Sequence, residues 1–338
     1  MAKGLDVGTC FLVCASSDPK KPESGEINKV RDAFVSIPLD RPGIKNMLKL
    51  KRVPFLEDKE NVYIVGDDAL RMANFLNVEL RRPLRGGLIS SRERDAEPIL
   101  MGLLKSILGE KPLTKNEVCY YSVPAAPIDE PGADVVYHEM MFKKIIESFG
   151  YKAVAMNEAV SLVYANCVEE GFSGLSLSFG AGMCNVAIVY NTMPGLTLAI
   201  AKSGDFIDEQ SARAVGRTAA QMMSIKESGI DLLDPEAGDL QYKREREAII
   251  LYYKNLIHNT IKEIKSHMKK QSSAINIEEA IPLILSGGTT GPKNFLEFFK
   301  SEFEAIGGLP IKISEIRMAS DPLNDVANGL LVAAQADE

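Results

Sequence analysis

The sequence has 338 residues, and 46% of them are hydrophobic, which is enough to bury the cores of two domains of ordinary size. A formal net charge of −7 gives the chain no general attraction for nucleic acid, so we expect no nucleic-acid partner. The cysteines form no CxxC pair, the histidines lack metal-ligand spacing and no apolar run is long enough to cross a membrane, so we expect a reduced, cytoplasmic protein.

In the first half of the chain, strand and helix patterns alternate. The segment GLDVGTCFLVC, residues 4–14, predicts two strands joined by a glycine turn at Gly8. A mixed region over residues 31–99, which includes YIVGDDALRMANFLN, predicts a small insert. EVCYYSVPAAP, residues 117–127, then predicts a buried strand, and VVYHEMMFKKIIESFG predicts an amphipathic helix that ends before Gly150. This alternation indicates α/β layers.

The second half repeats the opening pattern. SLSFGAGMCNVAIVY, residues 176–190, predicts two strands around Gly180 and Gly182, about half the chain beyond Gly8. A repeat at that distance predicts two related domains that face each other across a cleft. KREREAIILYYKNLIHNTIKEIKSHMKK, residues 243–270, predicts a long amphipathic helix. LILSGGTTG, residues 283–291, predicts a buried strand and a third glycine turn at Gly287 and Gly288.

Three glycine turns, each after an apolar strand, favour a polyphosphate site. Glycine lets backbone N–H groups approach an anion closely, which such a site requires. Any one of these turns alone is typical of a simple hairpin. The usual nucleotide motifs are absent, because the chain has no GxxxxGK[ST], and GAGMCN lacks the third glycine of the dinucleotide fingerprint and runs into a strand. The turns therefore indicate a different kind of phosphate site.

Five segments in order along nearly the whole chain resemble the actin superfamily, and especially bacterial actins of the MreB and MamK type. They are GLDVGTC (4–10), MNEAVSLVYA (156–165), the stretch at 176–190, LILSGGTTG and DPLNDVANGLLVAA (321–334), and RRPLRGGLIS (81–90) also resembles a tract of MreB relatives. The resemblance implies an α/β, actin-like fold of two duplicated domains around an interdomain nucleotide cleft. Domain I would cover residues 1–150 plus 320–338, with the insert at 31–99, and domain II would cover 151–319, with a helical subdomain at 205–270.

The resemblance also implies a role for each site residue. Asp6 would hold magnesium through water, and Glu158 would orient the attacking water, although Glu158 alone is equally typical of a carboxylate at a helix N-terminus. For Lys226 and Glu227, a solvent-exposed pair is an alternative. The implied nucleotide-binding residues are Gly8, Thr9 and Cys10 in the first phosphate loop, Gly180, Ala181, Gly182 and Asn185 in the second, Gly204, Asp205 and Asp208 in SGDFID, Lys226 and Glu227 in IKE, and Gly287, Gly288 and Thr289 in the adenosine loop.

The chain departs from the family pattern at Ser178, where bacterial actins usually have aspartate. A serine offers magnesium or its waters a hydrogen bond but no charge, so Ser178 would be a weak metal neighbour and Asp6 would supply most of the negative charge. We therefore expect phosphate binding to persist with weakened hydrolysis. A Ser178→Asp change is expected to raise the ATPase rate, and the competing outcome is that the added charge repels the nucleotide.

The expected function is a filament-forming, magnesium-dependent ATPase of the bacterial cytoskeleton type, with ATP or ADP in the cleft and copies of itself as partners. Two alternatives stay open at this point. One is a small-molecule kinase of the same fold. The other is a nucleotide-switched adaptor that does not hydrolyse ATP, which the neutral Ser178 favours. No motif in the sequence predicts the polymerisation surfaces or any protein or membrane partner.

Overall fold

The computed structural model describes residues 2–18, 21–90, 93, 96–109, 112, 117–270, 277 and 279–337, except for the side chains of residues 18 and 21–24. Parts of the predicted domains, including residues 91, 92, 94 and 95 of the insert, lie outside the described residues. Within the described part of the chain, no helix is both long enough and apolar enough to cross a membrane.

The described residues form strands and helices in an alternating order. The strands are β1 Ala2–Val7, β2 Phe11–Asp18, β3 Lys21–Arg31, β4 Phe34–Pro38, β5 Leu56–Glu57, β6 Asn61–Val65, β7 Leu84–Arg85, β8 Leu88–Ile89, β9 Val118–Val123, β10 Lys152–Asn157, β11 Gly174–Phe179, β12 Cys184–Tyr190, β13 Met193–Ile200, β14 Ile281–Ser286 and β15 Ile313–Met318. The α-helices are α1 Ile44–Leu50, α2 Asp67–Leu76, α3 Ala96–Leu108, α4 Val135–Ser148, α5 Glu158–Asn166, α6 Gly204–Val215, α7 Ala219–Glu227, α8 Lys243–Lys270, α9 Phe295–Ala305 and α10 Asp325–Ala336.

Two five-stranded sheets of equivalent topology form the centres of two halves. The strand orders are β10-β9-β1-β2-β3 and β13-β12-β11-β14-β15. In each sheet, three antiparallel neighbours from a hairpin meander are continued by two parallel strands. The predicted α/β class and its duplication are therefore confirmed.

One predicted domain boundary needs correction. The sequence placed residues from 151 onward in the second domain, but β10 pairs in parallel with β9 and completes the first sheet. The first half of the molecule therefore continues to Asn157. Periodicity can identify a strand, but the sheet that the strand joins is decided by its pairing partners, which lie far away in sequence.

The insert and the helical region occupy the outer parts of the two halves. In the insert, β4, β6 and β5 form a sheet with its own core, which includes Val35, Ile64 and residues of α1 and α2. In the second half, α6, α7 and α8 contact one another, and α8 has the bounds that the sequence predicted. Tyr253 and Leu256 of α8 are buried in the core of the second sheet.

Helices α5 and α10 pack against each other where the two halves meet. A Cβ atom on Gly329 of α10 would lie 1.8 Å from the carbonyl oxygen of Ser161 in α5. A Cβ atom on Gly4 of β1 would similarly lie 2.1 Å from the carbonyl oxygen of Ala327. Only glycine allows such close backbone approach. Gly4 therefore lets α10 pack closely on β1, and Gly329 lets α10 pack closely on α5.

Candidate functional site

A cavity of about 620 Å³ lies between the two halves, beside the carboxyl ends of β1, β11 and β14. Three glycine-containing turns line it: the first turn (residues 8–10), the second turn (residues 180–183) and the third turn (residues 287–291). Every site residue predicted from the sequence lines this cavity except Gly204. Such a crevice at strand ends is where open α/β sheets commonly bind ligands.

The first and second turns close on themselves and leave several amides without a partner. Gly8 donates its N–H to the carbonyl of Phe11 at 3.1 Å, and Gly180 donates to the carbonyl of Met183 at 3.0 Å. The amides that donate no hydrogen bond within the described residues include those of Thr9, Cys10, Ala181 and Gly182. Unpaired N–H groups beside a cavity are the donors that bind an anion.

The second turn is held in place through one carbonyl. The oxygen of Gly180 accepts hydrogen bonds from Ser203 Oγ at 2.6 Å, Thr289 Oγ1 at 2.7 Å and Gly204 N at 3.1 Å. Thr289 belongs to the third turn, so the second and third turns are tied together directly. Gly204 lies behind the second turn rather than on the cavity wall, which explains why this predicted residue does not line the cavity.

Close backbone approach requires glycine at two positions of these turns. Gly287 has φ 96°, and a Cβ there would lie 2.3 Å from the carbonyl oxygen of Phe179. A Cβ on Gly182 would lie 2.2 Å from the amide nitrogen of Gly87, in the turn between β7 and β8. Gly87 also donates its N–H to Thr9 Oγ1 at 3.0 Å. The β7–β8 hairpin therefore contacts the first and second turns together. The sequence did not predict that this hairpin lies in the site, although its tract RRPLRGGLIS was recognised as similar to one in MreB relatives.

Two partly buried carboxylates, those of Asp6 and Glu158, line the cavity and interact electrostatically. Burial raises the pKa of Asp6, and the hydroxyl of Ser122, which donates to Oδ1 at 3.0 Å, offsets part of that effect. Burial also raises the pKa of Glu158, and the charge of Asp6 raises it further. The pair creates a region of negative potential in which a cation is favoured.

Glu158 is the first residue of α5, but it is not the residue that caps this helix. The side chain of Asn157 accepts hydrogen bonds from the amides of Ala159 at 3.0 Å and Val160 at 3.2 Å. The carboxylate of Glu158 instead accepts from Ser178 Oγ at 2.6 Å and from Asn185 Nδ2 at 2.8 Å. Asn157 therefore caps the helix. Glu158 lies in the first turn of α5, where a negative charge stabilises the helix N-terminus, and it also lines the cavity.

The described residues include no group of three or more His, Cys, Asp or Glu side chains that could hold a metal ion. Magnesium bound to a nucleotide takes most of its ligands from phosphates and water and needs only one or two carboxylates. The pair of Asp6 and Glu158, in which the charge of Asp6 disfavours that of Glu158, fits such an ion because a cation would relieve their repulsion. Asp6 is the residue that would hold it through water.

Lys226 and Glu227 do not form the exposed pair that the sequence left open. Lys226 Nζ donates to Asp208 Oδ2 at 2.7 Å, and both side chains are at least nine-tenths buried. Burial raises the pKa of Asp208 to about 6, and Lys226 opposes this rise. Glu227 reaches a different cation, Arg31, at 3.5 Å. Asp205 is likewise paired with Arg82, and neither arginine was predicted as part of the site.

Comparison with known protein families identifies the family of this chain. The profile of the Volactin family matches residues 1–334. The chain belongs to the Volactin family. A search of curated proteins finds no match.

Solved structures define the fold of this Volactin-family chain. A structure described as a MamK double helical filament superposes with a TM-score of 0.69, at 17% sequence identity over 98% of each chain. A non-polymerising MamK mutant bound to AMPPNP superposes with a TM-score of 0.55, at 19% identity over 98% of each chain. The Volactin-family chain therefore has an actin-like fold, and the predicted resemblance to MamK-type actins is confirmed at the level of fold.

Proposed function

We propose that this Volactin-family chain binds ATP or ADP with magnesium, hydrolyses ATP and assembles with copies of itself into nucleotide-dependent filaments in the cytoplasm, where ATP is available. The observation that carries the proposal is the set of unpaired amides in the first and second turns. One turn belongs to each half, and both face one cavity. A polyphosphate bound to both sets would draw the halves together, which couples nucleotide state to the shape of the subunit.

Two further observations support the proposal. The cavity volume of about 620 Å³ is in the range of small-molecule and cofactor sites. MamK, which shares the fold, is described both as a double helical filament and, in mutant form, as bound to AMPPNP. Through a change in the relative position of the two halves, nucleotide would alter the contacts between neighbouring copies.

The residues of the cavity can be assigned roles in hydrolysis. The amides of the first and second turns would hold the phosphate oxygens and stabilise the charge that develops on them. The bound magnesium would neutralise part of this charge, with Asp6 as its protein neighbour. Glu158, a partly buried carboxylate with a raised pKa, would orient the attacking water and accept its proton.

Nucleotide binding can be tested with two glycine substitutions of the same kind. A Cβ at Gly182 would meet Gly87 and Thr9, whereas a Cβ at Gly102 in α3 meets nothing within 4 Å. We expect Gly182→Ala to weaken binding of fluorescent ATP by about 10-fold or more, which corresponds to about 1.4 kcal/mol, and Gly102→Ala to bind like the wild type. Circular dichroism would establish that both variants are folded. Failure of the wild-type protein to bind ATP in the presence of magnesium would refute the proposal.

A nucleotide-switched protein without hydrolysis is a second candidate, and one observation favours it. Ser178 is neutral, and its hydroxyl hydrogen is directed to Glu158, so it adds no negative charge for a metal ion. Phosphate release after addition of ATP distinguishes the two candidates. ATP binding and filament assembly without any phosphate release would favour the switch.

A further inference from the structure

Both oxygens of the Glu158 carboxylate are held by neutral donors from neighbouring strands. Ser178 of β11 and Asn185 of β12 are direct partners in the antiparallel register, so their side chains project from the same face of the sheet. Ser178 Oγ donates to Oε1 at 2.6 Å, and Asn185 Nδ2 donates to Oε2 at 2.8 Å. Each donor side chain is only 2% exposed, so water does not compete for these hydrogen bonds at the donors.

The orientation of the Asn185 amide is fixed by a second contact. The amide N–H of Ala125, in the loop after β9, donates to Asn185 Oδ1 at 3.3 Å. Because the oxygen of the side chain must face this donor, its NH₂ group faces Glu158. Ala125 thus orients Asn185, and Asn185 donates to one oxygen of the Glu158 carboxylate. Ser178 donates to the other oxygen.

We propose that Ser178 and Asn185 are positioning residues that fix the plane of the Glu158 carboxylate for the water it orients, an inference that rests on the proposed ATP hydrolysis. Neutral donors suit this task. A lysine or arginine would pair with the carboxylate and neutralise it, and an aspartate would repel it. A hydroxyl and an amide hold both oxygens while the negative charge stays available to the water. Ser178 therefore acts on Glu158 rather than on the metal.

The strand β11 offers a matched control for a structural role. Ser176 lies two residues before Ser178 on the same strand and is fully buried, and its Oγ donates to the carbonyl of Ala159 in α5 at 2.6 Å. Both serines therefore hydrogen-bond to α5, but only Ser178 contacts the carboxylate. A Ser176→Ala variant should lose a similar amount of stability without changing turnover.

The test is single-turnover and steady-state phosphate release by the full chain, at polymer levels matched by sedimentation. We expect Ser178→Ala to lower kcat about 10-fold with little change in KM, the scale of one lost hydrogen bond to a charged group. Ser178→Thr, which keeps the hydroxyl, should restore turnover, and Ser176→Ala should leave it unchanged. In a Glu158→Gln background, Ser178→Ala should have no further effect on kcat, because its partner no longer acts.

The outcomes separate this inference from the proposed function. Normal kcat in Ser178→Ala, an equal loss in Ser176→Ala, or the same 10-fold loss in the Glu158→Gln background would each overturn the positioning role while ATP hydrolysis stands. If the wild-type protein binds ATP but releases no phosphate, the proposed hydrolysis fails, and the positioning role fails with it because Glu158 then has no water to orient.

Discussion

Arg82 and Asp205 join the two halves across the mouth of the cleft. Arg82 Nη1 lies 2.9 Å and 3.1 Å from the two carboxylate oxygens of Asp205, and both side chains are largely buried. Arg82 precedes the β7–β8 hairpin in the first half, and Asp205 lies in the first turn of α6 in the second. Two further ion pairs join the halves in the same way, with an arginine from the first half and a glutamate from the second. They are Arg31–Glu227 at 3.5 Å and Arg85–Glu209 at 3.6 Å.

Removal of Arg82 should open the cleft. We expect Arg82→Ala to release fluorescent ATP roughly 10-fold faster than the wild type, because Asp205, which lines the cavity, would be left unpaired and would repel the phosphates. Stopped-flow displacement would measure the rate. Arg71→Ala is the matched control, because among the described residues the ion pair of Arg71 is with Asp68, one turn away on α2, and Arg71 is 70% exposed. Equal release rates for the two variants would show that the cross-cleft pair does not hold the halves together.

Glu158→Ala should impair chemistry and not binding. We expect kcat to fall by about 10²-fold or more, the usual scale for a positioned catalytic group, with ATP affinity little changed. Because Asn157 provides the cap of α5, the loss of Glu158 should not unfold the helix. Phosphate release and equilibrium binding would be measured on the same preparation. A variant that turns over normally would exclude Glu158 from catalysis.

Ser178→Asp should lower the ATPase rate, which reverses the expectation from sequence. The hydroxyl of Ser178 donates to Glu158, and an ionised aspartate cannot donate and would repel both Glu158 and Asp6. We expect a loss of about 10-fold. The expectation from sequence weighed the added charge against magnesium and the nucleotide, but not against Glu158, whose hydrogen bond from Ser178 only the structure reveals. A magnesium titration of the ATPase rate, with the neutral Ser178→Asn as control, measures the effect. A higher maximal rate in Ser178→Asp would restore the earlier expectation.

Asp32 should make stability depend on pH. It is fully buried, Leu84 N donates to its Oδ2 at 3.2 Å, and Oδ1 has no hydrogen-bond partner among the described residues. Burial raises the pKa of Asp32 from 3.8 to about 8. The folded state therefore holds this proton more tightly than the unfolded state, so the free energy of unfolding falls as pH rises from about 4 to about 8.

Denaturant unfolding at pH 5 and pH 8 tests this sign. Asp32→Asn should flatten the pH dependence, because the amide does not ionise, and the difference should be largest near pH 8. Asp40→Asn, at an exposed position, serves as the control and should retain the wild-type slope. An unchanged slope in Asp32→Asn would exclude Asp32 as the source.

The parts of the site that the sequence could predict are local. A strand, a glycine turn and a second strand are contiguous in the chain, so the first and second turns were predicted from short patterns. Asp6 and Glu158 were predicted as site residues because the segments that contain them resemble motifs of the actin superfamily. The two sheets followed from the repeat of the pattern around Gly8 and Gly180.

The parts that were missed depend on contacts between distant residues. Arg82 and Asp205 are 123 positions apart, and nothing in either segment indicates the other. The hydrogen bonds from Ser178 and Asn185 to Glu158 likewise depend on how α5 packs beside β11 and β12. From the sequence, Ser178 could be considered only in relation to the metal and the phosphates, because its hydrogen-bond partner Glu158 is known only once α5 is placed beside β11. Tertiary packing, and not residue type, decides such roles.

Nucleotide-dependent assembly is the most direct measurement of the central claim, and it requires only purified protein. Sedimentation and negative-stain imaging would be performed with ATP, AMPPNP, ADP and no nucleotide, across salt and magnesium concentrations. We expect the protein to pellet as linear polymers with ATP and to remain largely in the supernatant without nucleotide, because the proposed binding of phosphates to both turns would close the cleft. A protein that binds ATP yet stays monomeric in both ATP and AMPPNP under all of these conditions would contradict the claim.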